Sequence, residues 1–280
     1  MARGDRRPIG VFDSGVGGLT VLEELRRRLP DEPTIYLGDN ARTPYGPRPG
    51  DEVERFTAEC VAWLLDQDVK LLVLACNTAT ARALPLVREQ ADVPVVGVVR
   101  PGAVAAAAAT RSGHIGVVAT VGTVDSGAYL AAIGEADPRI VARQQPAPDL
   151  VPLVERGVLD GPVADGAVRG YLATLLEGDP AIDTLLLGCT HYPLLRPVIE
   201  RVVGPGVAVV DSAFTTAIAV EDLLDALHAR TPETDAGPSA NRVVTTGDVG
   251  TFATVASRIF TTALPSVERV ELGAPAPARP

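Results

Sequence analysis

Short apolar segments alternate along this chain with longer segments of helical periodicity. The strands predicted from the apolar segments are residues 9–12, 34–37, 71–75, 95–98, 115–118, 184–187 and 207–210. The clearest helical patterns between them are residues 51–66, 78–90 and 215–229. Strands that are apolar on both faces and alternate with helices form parallel sheets covered by helices on each side. The sequence therefore predicts an α/β fold with a mostly parallel, doubly wound sheet.

The order of these segments repeats along the chain. The segment IGVF at residues 9–12 precedes LVLACNTA, and IGVV at residues 115–118 precedes LLLGCTHY. Cys189 follows Cys76 by 113 residues, and Ile115 follows Ile9 by 106 residues. Offsets that agree this closely predict two related, pseudo-symmetric α/β halves. In such a pair of halves, the two cysteines would face each other across a cleft.

The composition excludes several classes of protein. Of the 280 residues, 46% are hydrophobic and 21% are charged, and the formal net charge is −10. An acidic chain lacks the concentrated basic surface that binds nucleic acids, so no nucleic-acid partner is expected. No apolar run approaches the ~20 residues that span a bilayer, so no membrane association is expected. The N-terminal segment MARGDRRPIG lacks the apolar region of a secretion signal, which predicts a cytoplasmic location. Residues 231–240 are predicted to be an exposed linker, and residues 273–280 a disordered tail.

Two of the three cysteines stand where an apolar strand ends. Cys76 follows LLVLA and Cys189 follows LLLG, and a polar pair comes after each. Ligands of parallel α/β folds bind at the carboxyl ends of the strands, which favours acid–base or nucleophilic catalysis by a thiol on each side of a substrate. A disulfide and a zinc site of Cys76, Cys189 and His191 remain alternatives, although the cytosol disfavours the first and the second lacks an obvious fourth ligand. Cys60 lies in a helical pattern, where a buried cysteine packs as a small hydrophobe.

The polar residues next to the strand ends are suited to binding an anion. Asn77-Thr78 and Thr190-His191 would open helices, where free backbone N–H groups bind carboxylates. Asp13 begins the turn DSGVGG, whose glycines let the backbone approach a ligand closely. This turn is neither a dinucleotide-binding G-x-G-x-x-G nor a phosphate-binding P-loop. For Asp13 a helix-capping role, and for His191 a structural role, remain alternatives.

Six segments together resemble one family. These are GVFDSGVGGLTV, GDNARTPYG, LACNTATA, ATVGTVDSGAY, LVPLVERG and LGCTHYPLL, spread over residues 9–212. In this order they resemble the glutamate racemases, cofactor-independent enzymes of bacterial peptidoglycan synthesis within the aspartate/glutamate racemase family. The resemblance implies two α/β domains with the active site between them. The first would comprise residues 1–98 and 211–280, and the second residues 99–210.

The resemblance also implies roles for individual residues. Cys76 and Cys189 match the two catalytic acid/base thiols, and Asp13 and His191 match groups that assist them. Glu155 matches a further acidic residue near the site, although its own surroundings in the sequence indicate only a charge on a helix surface. The residues that match substrate-binding positions are Asp13, Ser14, Tyr45, Gly46, Asn77, Thr78, Thr120, Thr123, Thr190 and His191.

The position of the single lysine bears on the choice of cofactor. Many amino-acid racemases hold pyridoxal phosphate on a lysine, and here Lys70 stands at the start of the strand that ends at Cys76. Six residues of strand separate the two by about 20 Å. Pyridoxal phosphate in this cleft is therefore not expected. The resemblance further implies no cofactor and no metal, glutamate as the small-molecule substrate, and a homodimer. An aspartate or other amino-acid racemase, or a non-catalytic ligand-binding protein on the same fold, is the alternative.

Overall fold

Two parallel sheets organise the chain in the computed structural model, which describes residues 4–232, 241–258 and 265–272. The first sheet has the order β10-β9-β2-β1-β3-β4 and the second the order β6-β5-β7-β8. The strands are β1 (Ile9–Asp13), β2 (Thr34–Gly38), β3 (Leu71–Leu74), β4 (Val95–Gly97), β5 (His114–Ala119), β6 (Val141–Pro146), β7 (Thr184–Gly188), β8 (Ala208–Asp211), β9 (Arg242–Thr245) and β10 (Val267–Arg269).

Helices connect the strands and cover both faces of each sheet. They are α1 (Leu19–Arg28), α2 (Gly50–Leu65), α3 (Asn77–Gln90), α4 (Val99–Ala109), α5 (Val121–Ser126), α6 (Ala128–Ala136), α7 (Leu150–Glu155), α8 (Pro162–Gly178), α9 (Arg196–Val203), α10 (Ala213–Ala226) and α11 (Val249–Ala256). A short 3₁₀ helix spans Tyr192–Leu195. Within the described residues, no helix is both long enough and apolar enough to cross a membrane.

Each sheet lies between two apolar layers. Residues of α1, α10 and α11 pack on one face of the first sheet, and residues of α2 and α3 pack on the other. The second sheet is covered by α4 and α6 on one side and by α7, α8 and α9 on the other. Fully burying one Leu, Ile or Val side chain contributes about 1.5–3 kcal/mol, so these layers supply most of the driving force for folding. The predicted α/β class and the parallel sheets are confirmed.

The two sheets share one topology. The first sheet contains the neighbours β2-β1-β3-β4, and the second has the order β6-β5-β7-β8. In both sets of four, the second strand along the chain is at one end, followed by the first, the third and the fourth. β3 and β7, which precede Cys76 and Cys189, are therefore equivalent strands. This confirms the predicted pseudo-symmetry, while the domain boundaries at residues 98/99 and 210/211 stay a prediction. Strands β9 and β10 extend the first sheet alone, beside β2.

Three strands were not predicted from the sequence. Strand β6 has the sequence VARQQP and no fully buried residue, and β10 is largely exposed. Strand β9 has the sequence RVVT, which offers only two apolar side chains. Strands of this kind lack the continuous apolar run by which the central strands are recognised. The predicted linker falls mostly on residues 233–240, and the predicted tail on residues 273–280. Both segments lie outside the described residues.

The only lysine of the chain joins four segments at the N-terminal end of β3. Lys70 Nζ lies 2.6 Å from Glu32 Oε2 and donates to the carbonyl oxygens of Asp5 and Ala229 at 2.5 and 2.8 Å. The Glu32 carboxylate also accepts hydrogen bonds from the backbone and side chain of Thr231. The side chains of Lys70 and Glu32 are only 1% and 3% exposed. A buried charge of this kind depends on its partner.

We expect Lys70→Met to lower the free energy of unfolding by about 3–5 kcal/mol, because it leaves the Glu32 carboxylate buried without a counter-charge. The matched control is the double variant Lys70→Met/Glu32→Leu, which removes both charges and should be more stable than the single variant. Urea denaturation followed by far-UV circular dichroism measures both. A double variant less stable than Lys70→Met would contradict this account of the pair.

Candidate active site

The carboxyl ends of the central strands of both sheets surround one cavity of about 150 Å³. An enclosed space of this volume holds a small organic molecule. The residues that line it are Ser14, Thr43, Pro44, Tyr45, Gly46, Pro47, Cys76, Asn77, Thr78, Thr120, Val121, Pro148, Val151, Pro152, Cys189, Thr190 and His191. Both strand-end cysteines are among them, so the fold brings the two thiols to the same cavity.

Cys76 is the N-cap residue of α3. Its sulfur accepts a hydrogen bond from the Ala79 backbone N–H at 3.4 Å and lies 3.3 Å from the Ser14 hydroxyl. Burial, together with the nearby charge of Asp13, raises the pKa of the Cys76 thiol to about 12. In this resting arrangement Cys76 is therefore a protonated thiol at neutral pH. The α3 N-terminus and the Ser14 hydroxyl nevertheless offer donors to its thiolate.

Cys189 has a different partner. Its sulfur lies 3.8 Å from His191 Nδ1, and His191 Nε2 lies 3.4 Å from Glu155 Oε1 on the opposite side of the ring. Burial acts to lower the pKa of His191, but the interactions with Cys189 and Glu155 outweigh it and raise that pKa to about 10. The imidazole is therefore protonated at neutral pH. The protonated imidazole thus lies between the Cys189 sulfur and the Glu155 carboxylate.

His191 Nε2 and Glu155 Oε1 form an ion pair but not a hydrogen bond. Nε2 has no hydrogen-bond partner among the described residues. A bound substrate could accept a hydrogen bond from this N–H. Glu155 itself does not line the cavity and reaches it only through His191. Apart from the resemblance, no pattern in the sequence predicted this arrangement, since Glu155 is 34 residues from Cys189 and ends α7.

Asp13 lies beneath the cavity at the end of β1 and is fully buried. Its Oδ2 accepts the backbone N–H of Gly15 at 2.9 Å, while its Oδ1 has no hydrogen-bond partner in the described part of the chain. Burial raises the pKa of Asp13, and the nearby His191 charge partly opposes this. Asp13 is thus a turn-stabilising carboxylate and also an electrostatic neighbour of Cys76 and His191.

Glycine at position 17 allows the β1–α1 turn to touch the second half of the molecule. A Cβ at Gly17 would lie 2.3 Å from Thr190 Oγ1 and 2.6 Å from His191 Nδ1. No larger residue can occupy this position unless the side chains of Thr190 and His191 move. The DSGVGG turn therefore provides close packing between the halves, as well as the close ligand approach predicted for it.

Three threonines form a hydrogen-bonded cluster between the halves. The Thr78 hydroxyl lies 2.9 Å from that of Thr120 and 3.2 Å from that of Thr123, and the latter two are 2.9 Å apart. Thr120 is also the N-cap of α5. Thr123 is completely buried and does not line the cavity, so it can act on a ligand only through the other two hydroxyls.

The segment between β2 and α2 covers the cavity. Its Gly46 carbonyl accepts the backbone N–H of Gly122 at 2.8 Å, which ties this loop to α5. The Tyr45 hydroxyl donates to Asp39 Oδ2 at 2.5 Å, and the buried Asp39 carboxylate also accepts from Arg42 and Thr246. The network fixes the loop that carries Tyr45 and Gly46 against the cavity.

Ten of the thirteen residues predicted for the site line the cavity. The three that do not are Asp13, Thr123 and Glu155, each of which contacts or lies behind a lining residue. The catalytic and binding roles of all thirteen stay predictions. The sequence reasoning missed seven lining residues, namely Thr43, Pro44, Pro47, Val121, Pro148, Val151 and Pro152. Five of them stand within recognised segments and could have been found there: Thr43 and Pro44 in GDNARTPYG, Val121 in ATVGTVDSGAY, and Val151 and Pro152 in LVPLVERG. Pro47 directly follows the first of these segments. Pro148 had no such signal.

The alternatives for the cysteines can be compared with this geometry. All three cysteines are free thiols. Across the described residues, no group of three or more His, Cys, Asp and Glu side chains is arranged to hold a metal ion. Cys60 packs in the core between α2 and the first sheet, as predicted, and its sulfur also accepts a hydrogen bond from Arg42 at 3.4 Å. It is not a cavity residue.

An α/β protein whose two equivalent strands each present a thiol to one shared cavity has the architecture of a two-thiol amino-acid racemase. The chain belongs to the Asp/Glu/hydantoin racemase family, whose family model matches residues 10–222. It is 45% identical over 273 residues to the glutamate racemase of Shouchella clausii, covering 98% of this chain and 97% of that one.

Solved structures agree with the assignment. Glutamate racemase isoform RacE1 from Bacillus anthracis superposes with a TM-score of 0.90 at 41% identity, covering 96% of this chain and 98% of that one. Glutamate racemase from Francisella tularensis in complex with D-glutamate gives a TM-score of 0.88 at 32% identity, with 96% and 98% of the two chains covered.

Proposed function

We propose that this protein is an isomerase that interconverts L- and D-glutamate and supplies D-glutamate for peptidoglycan synthesis. The observation that carries the proposal is the cavity shared by Cys76 and Cys189, one from each equivalent strand end. A thiol on each side of a substrate can remove the Cα proton from one face and deliver a proton to the other. The names of the relatives, and the D-glutamate bound to the Francisella tularensis protein, support glutamate as the substrate.

By resemblance to the family, Cys189 is the base that deprotonates L-glutamate, and Cys76 is the base that deprotonates D-glutamate. Burial keeps Cys76 protonated, so Cys76 holds a proton that it can donate in this direction. Cys189 then takes the proton from Cα as the C–H bond breaks, leaving the electron pair on the substrate as a carbanion. Cys76 donates its proton to the opposite face of Cα. The product is D-glutamate, and the two sulfurs have exchanged protonation states.

The reverse reaction requires Cys76 as the thiolate. The Ala79 N–H and the Ser14 hydroxyl are the donors that would support that charge. The Asp13 carboxylate opposes it, and a proton shared with Asp13 would relieve the repulsion. These assignments make Asp13 the group that assists Cys76, and His191 with Glu155 the groups that assist Cys189.

The carbanion has to be stabilised by the protein. The start of α3 and the Thr190-His191 turn both line the cavity, and free N–H groups at such positions bind a substrate carboxylate as its charge increases. The amino group of Lys70 is engaged with Glu32 and two backbone carbonyls at the other end of β3. It is therefore not available to form an imine, which supports a mechanism without pyridoxal phosphate.

The test of the proposal is the loss of optical activity, measured by circular dichroism or polarimetry on purified protein. With L-glutamate the signal should decay to zero as the racemate forms. With L-aspartate and L-alanine it should persist, because their side chains are shorter than that of glutamate and cannot fill the same cavity. Decay with L-aspartate but not with L-glutamate would assign the protein to aspartate, and no decay with any of the three would indicate a binding protein.

Two other parts of the proposal have support from sequence alone. A homodimer and a cytoplasmic location are both expected from the resemblance to the family. Glutamate is the small-molecule partner, and neither a nucleic acid nor a membrane is required for the reaction.

A further inference from the structure

Tyr129 contacts the neighbours of both cysteines without lining the cavity. It lies in the first turn of α6 and is completely buried. Its hydroxyl accepts a hydrogen bond from Asn77 Nδ2 at 2.6 Å, and Asn77 follows Cys76 directly. Its ring lies against Gly188, which directly precedes Cys189, so that a Cβ at Gly188 would be 2.9 Å from Tyr129 Cε2. One side chain thus joins the two strand ends that carry the thiols.

The Asn77 amide is left with a free acceptor. Asn77 lines the cavity and is only 3% exposed, and its Oδ1 has no hydrogen-bond partner among the described residues. A buried carbonyl oxygen without a donor is unfavourable, so a donor from a ligand is expected there. The α-ammonium group of an amino acid carries three N–H donors and a positive charge, which suits an amide oxygen.

The orientation of this amide depends on the phenol. An asparagine side chain has nearly the same shape in its two orientations, and only its partners distinguish oxygen from nitrogen. Ser212, at the junction of β8 and α10, is a second hydrogen-bonding partner of the Tyr129 hydroxyl. In the structure the Tyr129 oxygen presents its lone pairs to Asn77. Those lone pairs bind Nδ2 and leave Oδ1 for the ligand.

We propose that Tyr129 is a positioning residue for the racemisation reaction. Its hydroxyl holds the Asn77 amide with Oδ1 available to the α-ammonium group of the substrate, and its ring keeps the Cys189 strand end beside that amide. The inference rests on the proposed function, because it names the group of an amino-acid substrate that Asn77 receives. Burial also raises the pKa of Tyr129, so the phenol keeps its proton throughout the working range.

The test compares a substrate that has an α-ammonium group with a ligand that lacks one. In Tyr129→Phe, which keeps the ring and removes only the hydroxyl, we expect the KM for both glutamate enantiomers to rise about tenfold. The inhibition constant of glutarate, which has both carboxylates but no amine, should stay within about twofold of the wild-type value. A general loosening of the site would weaken both ligands equally, and that result would overturn the proposal.

Two further variants complete the experiment. Tyr171→Phe removes a hydroxyl that bonds Asp149 at 2.5 Å outside the cavity, and it should leave both constants unchanged. Ser212→Ala removes the second partner of the phenol and should raise the KM for glutamate two- to fivefold. The inhibition constant of glutarate should again stay unchanged. This variant also tests the inference should Tyr129→Phe fold poorly. A Tyr129→Phe enzyme with wild-type KM values would refute the positioning role, whereas wild-type protein without racemase activity would refute the proposed function itself.

Discussion

Cys76→Ala and Cys189→Ala each lower the rate of glutamate racemisation by about 10²–10⁴-fold or more, the range of a general acid or base. Each thiol acts as the base in one direction and as the acid in the other, so neither direction survives the loss of one of them. The equilibrium constant between enantiomers is one, so a single variant must reduce kcat/KM equally for L- and D-glutamate. Circular dichroism started from either enantiomer measures both losses.

Cys60→Ser is the matched control, because it also alters a buried cysteine but one that does not line the cavity. A serine hydroxyl can still accept the hydrogen bond from Arg42, so turnover should stay near the wild-type value. Burying the hydroxyl costs about 1–3 kcal/mol of stability. If Cys60→Ser were as inactive as the other two variants, the assignment of the catalytic thiols would be wrong.

In D₂O, the first D-glutamate formed from L-glutamate carries deuterium at Cα, while the remaining L-glutamate stays largely protiated. The reason is the separation of roles across the cavity. Cys76 exchanges its hydrogen with solvent before catalysis and delivers deuterium, whereas the abstracted hydrogen stays on Cys189 and leaves with solvent exchange. Mass spectrometry of the separated enantiomers at low conversion measures the isotope content of each.

The same experiment started from D-glutamate provides the control, with the labels reversed between enantiomers. One base serving both faces would return much of the original hydrogen to the product. Early product that is mostly protiated would therefore exclude the two-thiol mechanism, even if both cysteine variants were inactive.

The central strands could be predicted from the sequence, but the edges of the sheets could not. Strands β1, β3 and β7 are buried on both faces, and continuous apolar runs are the pattern that such burial requires. Strands β6 and β10 lie at the edges of their sheets, are partly exposed, and show no such run. For strands of this kind, the partner strand and not the local sequence decides the conformation.

The candidate site, too, could be predicted from the sequence only in part. That Cys76 and Cys189 end equivalent strands was visible in the sequence, because residues at the carboxyl ends of parallel strands meet at one edge. That Glu155 supports His191 was implied only by resemblance, and Tyr129 was not singled out at all. Both act through contacts between residues that are far apart in the chain, and no local pattern encodes such contacts.

The sequence by itself determined the class of fold, the two repeated halves and the two strand-end thiols, because hydrophobic periodicity and strand order are local properties. Only the tertiary structure decided how the two thiols differ. Burial beside Asp13 keeps Cys76 protonated, whereas the sulfur of Cys189 lies 3.8 Å from the ring of a protonated His191. Ionisation depends on desolvation and on charges brought close through space, and both exist only once the two sheets have packed around a common cavity.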